Sequence, residues 1–106
     1  MRTMIRISMD VDRGNAVIKD GTLPKLIEDT ILRLNPEASY FYPEHGKRCA
    51  VFVCDMKDQS DIPVIAEPFF SQTGATVEFI PCMNLNDLKN GLNRIMSSAG
   101  AELTRA

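Results

Sequence analysis

The chain has no tryptophan, one histidine and three cysteines, and each scarcity narrows what it can do. With His45 alone there is no second imidazole to share a metal or a haem. Cys49, Cys54 and Cys82 are odd in number and contain no Cys-x-x-Cys spacing, so neither a disulfide framework nor a zinc site is expected. They read as reduced, partly buried thiols, with Cys54 the one that a basic neighbour would activate. Long apolar runs are also missing. Nothing approaches the roughly 20 residues needed to cross a bilayer, and the first residues alternate where a secretory signal would be continuous. A cytoplasmic protein without a membrane partner is expected.

Charge of one sign is not in excess either. The 12 basic and 14 acidic residues are interleaved and leave a formal net charge of −2, so a phosphate backbone finds no basic footprint and nucleic acid is not an expected partner. No glycine-rich phosphate loop and no nucleophile elbow occurs. No cofactor and no metal is expected. What remains is ordinary globular material, 44% hydrophobic and 25% charged, in 106 residues. That length suits a single domain over 1–106, with an ordered core over about 4–96.

Residues 4 to 11 place Ile5, Ile7, Met9 and Val11 on one side and Arg6, Ser8 and Asp10 on the other, the period of a strand. Asp12-Arg13-Gly14-Asn15 breaks that pattern, and Ala16-Val17-Ile18 reads as a short apolar turn. Thr22 suits an N-cap with Pro24 in the first turn, and Leu23, Leu26, Ile27, Thr30, Ile31 and Leu34 recur at helical spacing until Asn35-Pro36. Ala38 to Tyr42 and Arg48 to Met56 are aromatic-rich and β-branched strands around a Pro43–Lys47 hairpin loop. A helix after Asp61 carries Ile62, Ile65, Ala66, Phe69 and Phe70, and Pro68 predicts that it is short or kinked. Thr76 to Met83 is a fourth strand. Asn84 and Asp87 form a capping box before the stripe Leu88, Leu92, Ile95 and Met96, with fraying expected from Ser97.

This order predicts an α+β fold, a ferredoxin-like βαββαβ sandwich with a C-terminal helix and an antiparallel four-stranded sheet in the order 4-1-3-2. The helix-facing side is expected to take Ile5, Ile7, Met9, Val51, Val53, Val77 and Phe79. The opposite side would carry Arg6, Ser8, Asp10, Ala50, Phe52, Cys54, Glu78, Ile80 and Cys82. On that arrangement Cys54 and Cys82 share a face roughly 9 to 10 Å apart, beyond disulfide reach, and Cys49 faces the other way. Half-apolar and half-charged, the open side is expected to pack on a second copy across a twofold axis, making a homodimer in which Arg6 and Glu78 pair. Charge reversal at Arg6 or Glu78, or a charge at Phe52, would then weaken association.

Candidate chemistry is sparse. His45 is the one imidazole, the residue type best suited to proton transfer at neutral pH, and Asp10 and Tyr40 are the other catalytic candidates. Arg6, Tyr42, Arg48 and Glu78 are the candidates for ligand binding: a hairpin folded over a cavity mouth would let Glu44 orient His45 while Arg48 holds an anion. Each has a bland reading too. His45 suits an exposed turn, Tyr40 and Tyr42 a covered sheet edge, Arg6 with Glu78 an interface ion pair, Phe69-Phe70 a core, and Glu67 a solvated cap.

With these elements in place, DGTLPK (20–25), PEASYF (36–41), DIPVIAEPFF (61–70) and PCMNLNDLKNGL (81–92) resemble small bacterial proteins of unknown function with the dimeric α+β barrel architecture. That superfamily pairs two ferredoxin-like sheets into one barrel. The resemblance implies a homodimer and, for function, a small-molecule-binding module; the alternative it implies is a cofactor-independent monooxygenase or isomerase acting on a small aromatic or enol substrate. A subunit that only supports a larger assembly is the third reading.

Overall fold

A computed structural model describes residues 1–105, with side chains through residue 98. The alternation at the start forms β1 (Arg2–Met9), in which Thr3, Ile5, Ile7 and Met9 are buried in turn. Val11, expected to end that strand, instead opens a helix, α1 (Val11–Lys19). The Asp12–Asn15 segment is therefore its first turn and not a break, with the Gly14 N–H donating to the Asp10 carbonyl at 2.8 Å. Only Gly14 and Val17 of its 9 residues are buried, too few for a helical period to stand out in sequence.

Next, α2 (Thr22–Leu34) buries Leu23, Leu26 and Thr30. Its cap position belongs to Gly21, at φ 82°, and not to Thr22. Asp20 stabilises the first turn by accepting the Thr22 N–H at 2.9 Å. Asn35, left-handed at φ 45°, closes the helix ahead of Pro36.

The hairpin is tighter than expected, because β2 (Ala38–Glu44) and β3 (Lys47–Asp55) leave only His45 and Gly46 between them. Both have positive φ, 53° and 75°, which matches a two-residue turn to the twist of the strands.

The helix expected to be short or kinked, α3 (Asp61–Thr73), runs 13 residues through Pro68 without interruption. Pro68 has no N–H for the Val64 carbonyl, and that carbonyl accepts instead from Arg33 Nη1 of α2 at 3.1 Å. After β4 (Thr76–Pro81), two residues shorter than expected, comes α4 (Leu85–Arg105), which continues past the expected fraying point at Ser97. Its capping box is reciprocal: Asn84 N–H donates to Asp87 Oδ2 at 3.1 Å and Asp87 N–H to Asn84 Oδ1 at 2.8 Å.

The four strands form an open antiparallel sheet in the order β2-β3-β1-β4, the same neighbours as 4-1-3-2 counted from the other edge. The architecture is α+β, with four helices. One sheet face carries α1, α2 and α3, and beneath them lies the core built on Ile5, Ile7, Phe52, Leu23, Leu26 and Phe69.

Register overturns the expected facing of β3. Ile5 pairs with Phe52, Ile7 with Ala50 and Thr3 with Cys54, so Ala50, Phe52 and Cys54 lie under the helices while Val51 and Val53 lie on the open face. Residues 49–54 are all apolar, so alternation carries no phase there and the partner strand decides it. The same register moves the cysteines. Cys49, beside Ser8, is on the open face, and Cys54 is inside. Cys82, whose N–H donates to the Arg2 carbonyl at 3.1 Å, follows the open-face row of Arg2, so Cys54 and Cys82 do not share a face. All three thiols are free.

Candidate functional site

A cavity of about 470 Å³ opens between the sheet, α1, α2 and the β2–β3 hairpin. Its walls are apolar: Ile7 and Met9 from β1, Leu23 and Ile27 from α2, Phe41 from β2 and Phe69 from α3. Phe41 meets Phe52 edge to face, ring centroids 6.0 Å apart, which braces the hairpin side. The size and the greasy lining are those of a small-molecule site.

Two cations border this cavity, and their circumstances differ. Lys47 is neutralised by Asp10, Nζ to Oδ1 3.1 Å. Arg48 makes no ion pair among the described residues. Its guanidinium is tethered to neutral groups, Nη2 donating to Asn15 Oδ1 at 2.9 Å and Nη1 to the Val11 carbonyl at 3.4 Å. The tether depends on Gly14: a Cβ there would sit 2.7 Å from Arg48 Nη1. Glycine thus clears the path by which a β3 side chain crosses the first turn of α1. Arg48 is a positioned donor fork with unspent charge at the edge of an apolar hollow.

The candidates from sequence separate into three places. Arg48 borders the cavity, whereas Tyr42, although its strand segment edges the hollow, pairs with Cys49 and Ser8 and so faces the open side. His45 is exposed at the turn, and Asp10 is exposed and engaged with Lys47. Tyr40, Arg6 and Glu78 lie on the open sheet face, Tyr40 being 65% exposed. Glu44 does not orient His45. Its carboxylate instead takes Arg6 Nη2 at 2.9 Å, nearer than Glu78, which is 3.8 Å from Arg6 Nε. The row Tyr40–Val51–Arg6–Glu78 crosses all four strands, with Tyr42–Cys49–Ser8–Thr76 beside it. There the Tyr42 hydroxyl is pushed up, first by its hydrogen bond to Cys49 and then by burial. Arg6 Nε is buried without a hydrogen-bond partner, although the face has no covering layer of its own.

Burial raises the Cys54 thiol, with the Asp55 charge adding to it, so the thiol that sequence singled out for reactivity is held protonated. Among the described residues no group of three His, Cys, Asp or Glu side chains is placed to hold a metal, and no helix is long and apolar enough to cross a membrane. Asn15 and Gly14 escaped sequence reasoning because their role depends on α1 being a helix. The cavity walls escaped because a wall residue and a core residue are both simply apolar.

Set against known proteins, the chain matches no family model, no curated protein and no solved structure at a significant level.

Proposed function

We propose that the chain is a small-molecule-binding module that takes an apolar compound bearing one carboxylate, and that it works as a homodimer. The observation that carries the ligand class is Arg48: a guanidinium held by neutral partners at the border of an apolar cavity of about 470 Å³. The apolar body of the ligand would fill the hollow and its carboxylate would take the fork, a charge-assisted contact of the stronger kind. Asp10 is spent on Lys47 and His45 stands out at the turn, which favours binding over proton transfer. For the assembly, the open face supports a sheet-to-sheet pairing of ferredoxin-like units: Tyr40, Val51, Val53 and Ile80 give apolar area, and the unpartnered Arg6 Nε calls for an acceptor.

Calorimetric titration with octanoate, phenylbutyrate and their primary amides tests the ligand class. The carboxylates should bind at least about tenfold more tightly than the amides, and Arg48→Met should remove that preference. Gly14→Ala, whose Cβ would sit 2.7 Å from Arg48 Nη1 and 3.4 Å from Met9 Cγ, should weaken the preference for acid over amide. Equal binding of acid and amide, or no binding of either, overturns it. For the dimer, Val51→Asp should lower the association constant by at least about tenfold while leaving the far-ultraviolet spectrum unchanged.

A further inference from the structure

Over residues 85–98, whose side chains are described, the apolar stripe of α4 is left uncovered by its own chain. Its apolar residues Leu85, Leu88, Leu92, Ile95 and Met96 fall within about 100° of arc at 100° per residue. All are exposed, between 41% for Leu88 and 71% for Met96. The helix projects from the body, giving a molecule 65 Å long and 28 by 20 Å across. At its root Arg2 Nη1 meets Asp87 Oδ2 at 3.0 Å, beside the reciprocal box with Asn84. Folding the helix back would break the Arg2–Asp87 contact, while the box, local to residues 84–87, sets where the helix starts.

We infer that the apolar stripe of α4 packs on a second copy of this chain. The surface area argues for that occupant. The chain exposes 7356 Å², whereas a compact monomer of its mass exposes roughly 5,900 Å². The excess, roughly 1,400 Å² on each chain, is in the range that permanent pairs of subunits bury. The radius of gyration says the same, 18.5 Å where a compact chain of this length has about 13 Å. A lipid surface fits less well. The polar side of α4 is Asn86, Asn90, Asn93 and Ser97, with Asp87 set against Lys89 and Arg94, and not the basic face of an interfacial helix.

This pairing stands apart from the sheet-to-sheet contact and is tested apart from it. Sedimentation equilibrium of the full chain is compared with the double variant Leu88→Asp, Leu92→Asp and, separately, with Val51→Asp. The double variant should weaken association at least about tenfold with the body still folded, because these side chains do not pack on it. A photo-crosslinking residue at Ile95 should yield covalent dimers of this chain. Unchanged association of the double variant, no dimer crosslink, or α4-dependent flotation with anionic phosphatidylserine vesicles instead of self-association overturns the inference. If the double variant dissociates and Val51→Asp does not, the sheet pairing fails and the helix pairing stands; the reverse result fells the helix pairing alone.

Discussion

The two faces of the sheet are made from the same four strands and have opposite characters. Under the helices, Ile5, Ile7 and Phe52 are within 2% of complete burial and need only shape complementarity. On the other face Arg6 stands among Glu44, Glu78, Tyr42 and Cys49, half-buried and with one nitrogen unsatisfied. The first face is finished within one chain. The second has the polarity of a subunit contact, with apolar positions Val51, Val53 and Ile80 flanking an ion-pair cluster.

Substitutions at neighbouring positions of β3 break or sharpen that contrast. Phe52→Ala should cost about 3 to 5 kcal/mol, measured by urea unfolding, because its ring lies at 0% exposure in the core. Val51→Ala, one residue away on the open face, should cost less than half as much. Equal losses at the two positions would mean that the facing of β3 is wrong. A smaller effect belongs to the helical layer. Arg33→Met takes the donor from the Val64 carbonyl that Pro68 leaves free, and should cost about 1 kcal/mol by the same measurement, whereas Pro68→Ala in that background should recover part of it.

The smallest effect lies at the end of β3. Lys57, donating to Asp55, and then the Met1 amine hold the Asp55 carboxyl down at about 2. A carboxyl lowered by folding adds stability that is present above the ordinary carboxylate range and fades as pH falls from about 4 toward 2. The contribution is small at so exposed a site. Carbon-detected titration should show the Asp55 midpoint rising toward the ordinary value in Lys57→Met; a midpoint that stays near 2 would assign the shift elsewhere.

Much of this arrangement could be read directly. Alternation placed Ile5, Ile7 and Met9 inside, Asn84 with Asp87 marked the start of α4, and Asn35-Pro36 marked the end of α2, because each signal is local and spans a few residues. Arg48 and Tyr42 were legible as polar residues near a hairpin. The guanidinium tether was not, since it joins β3 to a helix turn 33 residues earlier in the chain.

Sequence by itself determined most of the helices and strands, α1 excepted, and where most of them stop. Only the tertiary structure decided which side of β3 is the inside, because six consecutive apolar residues, 49–54, fit either phase and the choice belongs to the register with β1. It also decided that Arg48 and not His45 borders the cavity. A residue's neighbours across a sheet come from pairing at long range, and no local pattern encodes them.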